Sequence, residues 1–511
     1  MNTAKWTCWL LGLGGLLLHT LGHAMSFQAL EQRAQRLAAQ EWQAGLTVSP
    51  ALAALSYDEY RAIRFDPARA LWREQSDFQV QFFHPGFLFD QTVRVHEVGP
   101  EGAELIPFAA DLFQFAPPLA GAPAEIADGY AGFRVHYPIK QPDVYDEFLV
   151  FLGAAYFRLI GQDQIYGLSA RGLALGTGGP AAEEFPVFRE FWLQRPAPDQ
   201  RELVVLAILD SPSLAGAYRF RITPGASSAM DIEATLFARR DLDKPGIAPL
   251  TSMYTHGDTG PALVDDFRPR VHDSDGLLVI SSRGEAQWRP LSNRAHVRFS
   301  AFLDDQPPQG FGLLQRRRAL ADYEDLEAHY HRRPGKWIEP LAGDWGAGHV
   351  ELVEIPTADE THDNIVAFWV PDRPIRAGER RHFHYRLSTV EQGPTPVGLA
   401  RVVATHTGRA GIPGQDSWRQ RRQRRFVIDF QAQDLPEHGA LALMSETSAG
   451  EIREARLERH PAQGRVRAVI ALDPSADDTP SDLRVWLQEH GKPMSEVWTY
   501  VWYPDELNRQ L

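Results

Sequence analysis

Apolar and polar residues alternate along most of the chain beyond residue 76. In DFQVQFF, VRVHEV and GFRVHYPI the side chains change character at every step, as Phe133, Val135 and Tyr137 do around Arg134 and His136. A period of two is the mark of strands with one face buried. RELVVLAIL, GAYRFRITP, AHVRFSAFL and RRHFHYRLS continue it, separated by turns rich in Pro, Gly and Asp. The pattern predicts a large, mostly antiparallel β domain. Helical spacing is confined to three places. Phe27, Leu30, Leu37 and Trp42 share roughly one helical face, and Ser56-Tyr57-Asp58-Glu59 reads as a capping box opening a short second helix. Within RALADYEDLEAHYHRRP, Leu320, Tyr323, Leu326 and Tyr330 predict a third helix, ended by Pro334.

The pattern weakens after Val390. EQGPTPVG holds turn formers and little periodicity, so residues 391–400 are expected to link a domain spanning 25–390 to a smaller one spanning 401–511. The short strands of that last part, among them RRFVIDFQ, GRVRAVIALD and VWTYVWYP, suit a small sandwich. The first 24 residues read differently: Lys5, the apolar TCWLLGLGGLLLHTLG and the small-x-small Gly22-His23-Ala24 form a signal-peptide pattern, without a twin-arginine pair. Export to the periplasm is the expectation. The one cysteine, Cys8, lies inside that segment, so the exported chain would carry neither disulfide nor thiol nucleophile.

Charge then removes some function classes. The 511 residues carry 66 acidic and 52 Lys or Arg side chains, for a net charge of −14, which makes nucleic acid a poor partner. The exception, RQRRQRR from Arg419 to Arg425, reads as a solvated turn leading into FVIDF. GTGGPA lacks the lysine of a phosphate loop, and no G-x-S-x-G elbow is present. His329-x-His331 and His382-x-His384 pair imidazoles without a third ligand, so neither a metal nor another cofactor is expected.

Carboxylates beside aromatic residues are what remains. Asp363 stands two residues ahead of the apolar run Ile365-Val366-Ala367-Phe368-Trp369, and RPRVHDSDGLLV ends an acidic turn, with Asp273 and Asp275, on Gly276 and a strand. A carboxyl against an apolar wall stays protonated to higher pH, and a pair of carboxyls is what glycoside hydrolysis needs. Trp288, Trp337, Trp345 and Trp369 are candidate faces for stacking sugar rings, with Tyr254 and Tyr330 as further groove candidates.

Longer stretches add a resemblance. YDEYRAIRF, APLTSMY, RPRVHDSDGL, WRPL, GFGLLQRRRALADYEDLEAHYHRRP, WIEPLAGDWGAGHVELVEIPTADETHDNIVAFW and HFHYRL are similar to the periplasmic glucan biosynthesis protein G and D family (OpgG/OpgD, also called MdoG), most densely between 249 and 390. The missing twin-arginine pair favours the G branch. The resemblance implies an all-β fold: a large N-terminal, galactose-mutarotase-like β-sandwich with a groove, and a small immunoglobulin-like sandwich. It implies β-1,2-glucan as partner, a membrane glucan synthase and a second copy of the chain as further candidates, and a role in making or sizing osmoregulated periplasmic glucans. Some members of the family act as inverting endo-β-1,2-glucanases. In those, the general acid matches Asp363, the proposed base Asp275, and Glu360 falls in the relay of waters between them. Tyr254 and His256, in LTSMYTHGD, depart from the groups expected at those groove positions.

Overall fold

The computed structural model describes residues 25–505 apart from 46, 118, 120–126, 261–264, 395, 412–421, 432–440, 461–463 and 477. The expected signal segment 1–24 and Arg419 and Arg421 of the arginine run lie outside the described residues. Of the rest of that run, Arg424 is buried, its Nη2 donating to Thr407 Oγ1 (2.6 Å).

The chain is all-β, with two large sheets face to face. A ten-stranded sheet runs from Gln79–Phe83 through Gly132–Tyr137, Asp146–Leu152, Tyr156–Leu159, Ser169–Arg171, Pro245–Ser252, Ile365–Pro371 and Gly348–Glu354 to Arg298–Asp304. The second sheet has fifteen strands, including Val187–Gln194, Leu203–Asp210, Leu214–Thr223, Ala229–Ala238 and Arg380–Val390 in that spatial order. The period-two reading holds where one face is wet: in Gly132–Tyr137, Phe133 and Val135 enter the core while Arg134 and His136 remain partly exposed. It fails for Leu203–Asp210, which is buried on both faces. The cause is the helix Phe27–Ala38, capped by Ser26, whose Leu30 and Ala34 pack on Val204, Leu206 and Ile208. Trp42 lies beyond this helix, beneath the Arg189 guanidinium (5.8 Å). The capping box at Ser56 is present, with Glu59 donating its N–H to Ser56 Oγ and accepting from the Ser56 N–H.

The predicted helix in 319–334 does not form. Two 3-10 turns, Leu320–Asp322 and Tyr330–Arg332, stand in its place. Glu324 and His329 adopt positive φ (54° and 49°), which an α-helix does not accommodate. Asp325 Oδ1 accepts from the N–H groups of Glu327 (2.8 Å) and Ala328 (2.6 Å), and side chains from elsewhere take carbonyls a helix would use: Arg270 Nη1 donates to Asp322 O and Gln315 Nε2 to Tyr330 O, both at 2.7 Å. Tyr323 and Tyr330 are buried nonetheless, while Leu326 is 72% exposed.

Segment 391–400 joins Arg380–Val390 to Arg401–Arg409, the first strand of a separate four-stranded sheet with Arg424–Gln431, Arg465–Asp473 and Glu451–His460. The last strands return to the body. Val497–Trp502 pairs in parallel with Ala286–Pro290, Trp288 opposite Trp498, so the fifteen-stranded sheet continues into the C-terminal part. A second core then forms from both sides: Leu278, Trp288 and Trp337 from the body, Phe426, Ile428 and Trp498 from beyond residue 400.

Trp498 is fully buried and its Nε1 donates to Thr405 Oγ1 (2.9 Å). Truncation leaves a cavity and an unpaired hydroxyl at this junction, so Trp498→Ala is expected to lose about 3–5 kcal/mol of stability in urea unfolding. A loss under about 1 kcal/mol would contradict a shared core.

Candidate active site

Three loops meet at the ends of interior strands of the ten-stranded sheet, Pro245–Ser252, Gly348–Glu354 and Ile365–Pro371. Asn364 clamps them: its N–H donates to Ser252 O (3.0 Å), Oδ1 accepts from the Tyr254 N–H (2.8 Å), and Nδ2 donates to Tyr254 O (3.0 Å) and Ile355 O (2.9 Å). Asp363 is the first residue outside the clamp. The acidic turn is pinned likewise, Ser274 Oγ sharing a hydrogen bond with Ser252 Oγ (2.6 Å). On either side of Ser274, Asp273 turns to Arg333 Nη1 and Asp275 accepts from the Arg316 N–H with both oxygens (3.1 and 2.9 Å). Gly276 follows because nothing larger fits: a Cβ there would stand 2.1 Å from Cζ2 of Trp288.

Surroundings set the carboxyls apart from one another. Asp363 is open to solvent at one side, yet the protein around it pushes its pKa up against the pull of Arg158, Arg171 and Arg333. Asp275 is less accessible; burial pushes it up to about 6, against the N–H and charge of Arg316. It lines a small cavity with Asp258, Arg270, His272, Trp288 and Arg316. Asp258 also suffers burial, but Arg317 and Arg270 hold it below the ordinary carboxylate range, Arg270 Nε at 2.9 Å and Arg317 Nε at 3.0 Å. Burial drives His272 down to about 3, so it is neutral. Glu360 is held from two sides: Tyr330 Oη donates to its Oε2 (2.6 Å), and Arg268 Nη1 lies 2.9 Å away while also pairing with Asp325. The Arg333 guanidinium covers the Tyr330 ring (4.2 Å).

Asp363, Glu360 and Tyr330 thus belong to one network, through Arg333 and its partner Asp273, whose ionisation Asp363 opposes. Asp275 shares no hydrogen bond or ion pair with Asp363 among the described residues. The four tryptophans proposed as sugar platforms are core side chains: Trp345 (1% exposed) and Trp369 (0%) fill the space between the large sheets, and Trp288 (2%) and Trp337 (4%) fill the second core. Trp288, Trp337 and Trp369 stand on inner faces of strands and Trp345 on the loop between Gly335–Gly343 and Gly348–Glu354, and all four rings are buried. Tyr254 is also buried, stacked on His272 (5.3 Å), with Oη bonded to Thr259 Oγ1. His256 is buried too and bonds to Arg268 O through Nε2 (2.9 Å). Accessible aromatics stand elsewhere: the Arg171 guanidinium lies between Tyr156 (4.7 Å) and Phe185 (5.5 Å), and Phe185 is 48% exposed. Sequence reasoning missed these two and the arginines 158, 171, 268 and 333; Arg268 and Arg333 lie inside the quoted stretches RPRVHDSDGL and HYHRRP, but nothing local marks them as partners of the carboxyls. Asp273 was visible in the acidic turn. Among the described residues, no group of three or more His, Cys, Asp or Glu is placed to hold a metal ion.

The family model for "Periplasmic glucan biosynthesis protein, MdoG" matches residues 25–502. The chain belongs to this family. Relatives called "Glucans biosynthesis protein G" include one from Rhodopseudomonas palustris (strain BisA53), 47% identical over 479 residues and covering 93% of this chain and 92% of its own length. Another, from Shewanella frigidimarina, is 45% identical over 454 residues, covering 89% of this chain and 80% of its own length. Membership of the MdoG family assigns the chain a role in periplasmic glucan biosynthesis. No helix among the described residues is long and apolar enough to cross a membrane.

The raised Asp275 predicts a pH signature. Unfolded, an aspartate titrates near about 3.9, and folded Asp275 near about 6. Keeping it ionised in place costs stability above that range, and the cost disappears as pH falls below the unfolded value. Asp275→Asn is therefore expected to melt higher than wild type at pH 8, with the advantage fading towards pH 4. Thermal melts across that range check it; an offset independent of pH would refute it.

Proposed function

We propose that the protein is an inverting endo-β-1,2-glucanase that trims or sets the length of the glucan backbone in the periplasm. Asp363 is the general acid, Asp275 the base, and Glu360 orders water between them. The observation that carries this reading is Asp363 itself: a carboxyl that a ligand can reach, held towards its protonated form by the protein around it. In an inverting reaction the acid protonates the leaving glycosidic oxygen while the base takes a proton from water attacking the opposite face of the sugar. Direct inversion needs carboxyls about 6.5–9.5 Å apart, and a relay of waters extends that reach. The separate position of Asp275 fits such a relay, with the Glu360 carboxylate, fixed by Tyr330 and Arg268, as an ordering point. Tyr156 and Phe185 supply the stacking faces that the buried tryptophans do not. Residues 1–24 act as the export signal, 25–390 bind and cleave glucan, 391–400 link, and 401–511 form an immunoglobulin-like unit.

A second reading rests on how Asp275 is held: it accepts the Arg316 N–H with both oxygens and is only partly accessible, as in a protein that holds glucan without cutting it. Such a factor would pass nascent chains from a membrane synthase to later enzymes. Incubation of the purified protein with linear β-1,2-glucan separates the two. The enzyme yields short oligosaccharides, and Asp363→Asn lowers the rate about 10²–10⁴-fold while binding persists. Binding without products from either protein would establish the holding factor. If the enzyme is active, kcat/KM falls as pH drops below about 6, where Asp275 takes up its proton; a profile flat down to pH 4.5 would remove Asp275 as the base.

A further inference from the structure

Arg316 is among the most enclosed charges of the molecule. Its side chain is 3% exposed, its guanidinium lies over Trp288 at 4.1 Å, and its Nε and Nη1 have no hydrogen-bond partner among the described residues. Nη2 alone is bonded, to Glu496 Oε1 (2.8 Å). Glu496 is fully buried just before Val497–Trp502, and its other oxygen accepts from the Val402 N–H (2.9 Å). Its own N–H donates to Ala400 O (2.8 Å). A buried pair of this kind costs desolvation that its attraction only partly returns, so it is weak as a source of stability. What it does fix is position. The residue whose side chain Glu496 holds is the one whose backbone N–H meets both oxygens of Asp275.

We propose that Glu496, from the C-terminal part of the chain, is a positioning residue for the Asp275 carboxylate, acting through the buried Arg316 guanidinium. The importance of Asp275 rests on the hydrolase reading above; the contact chain itself does not. The arrangement gives the C-terminal part a share in the site without touching substrate. It also sets charge. Arg316 favours ionised Asp275, and Glu496 neutralises part of that effect. The other groups facing Asp275 are Asp258, which opposes its ionisation, with Arg317, Arg318, Tyr254 and Tyr323 nearby and Arg270 and His272 in the same cavity; Arg401 faces the Arg316–Glu496 pair.

The test reads the Asp275 titration without needing catalysis. In wild-type, Glu496→Gln, Arg316→Met and Arg316→Lys backgrounds of the full chain, the melting difference between Asp275 and its Asn variant is followed from pH 4 to 8. Glu496→Gln keeps the shape of the contact but releases the arginine's charge, so the Asp275 midpoint is expected to fall by about one unit; Arg316→Met is expected to raise it by a similar amount, and Arg316→Lys to restore it part of the way. Because the Gln variant is isosteric, its shift remains readable even where Arg316→Met fails to fold. If β-1,2-glucan is cleaved, the acid limb of kcat/KM moves with the same sign. An unchanged midpoint in Glu496→Gln overturns the proposal even if the wild type is an active hydrolase. Shifted midpoints in a protein that cleaves nothing uphold it and overturn the hydrolase reading alone.

Discussion

The close approach of Trp288 to the backbone at Gly276 is the constraint on which the rest depends. Only a residue without Cβ lets the indole come so near, and that indole does three things at once. It faces Trp498 across the parallel pairing that carries the large sheet into the C-terminal part, it contributes to the second core, and it supports the Arg316 guanidinium. Asp275 is the residue before that glycine. The position of the candidate base and the joining of the two parts of the chain are therefore one packing problem.

Around the candidate site most carboxylates are committed to a cation. Asp258, Asp266, Asp273 and Asp325 each pair with an arginine, and Glu360 is held by an arginine and a tyrosine. Asp363 has three arginines near enough to act on it, with no hydrogen bond to them among the described residues, and keeps a side open to solvent. An arginine in contact favours the anion, as at Asp258, Asp266 and Asp325, although burial still raises Asp273 beside Arg333. Asp363 feels its arginines only at a distance, and they offset the rise that its surroundings give its pKa without reversing it.

The strands were legible because alternation is local: each residue reports its own face. Burial on both faces at Leu203–Asp210 was written as a continuous apolar run, and the covering helix accounts for it. The segment 319–334 misled because Leu320, Tyr323 and Tyr330 do have helical spacing, while what prevents the helix comes from Arg270 and Gln315, and from Asp325 bonding to its own backbone. The tryptophans misled for a related reason. A core and a sugar platform both call for a large flat ring, and the difference lies in what covers the other face, which is set by strands far away in the chain. Asp363 and Asp275 were legible from their place just ahead of apolar strands, Glu360 only from the long motifs, and the arginines around them, drawn from residues 158 to 333, carry no local sign of which carboxyl they serve.

The parallel pairing of Ala286–Pro290 with Val497–Trp502 has a consequence for the order of events when the chain is made. About two hundred residues separate the partners, and contacts of such span form late because closing the loop between them is entropically costly. A chain appearing N-terminus first can assemble the early strands against one another, Gly276–Ile280 included, while Ala286–Pro290 still lacks the neighbour on its outer side. The middle of the protein then waits for its end. Until the last strand arrives, a row of unpaired backbone groups and the Trp288 ring stay uncovered, which is the kind of surface chaperones bind and truncated products expose.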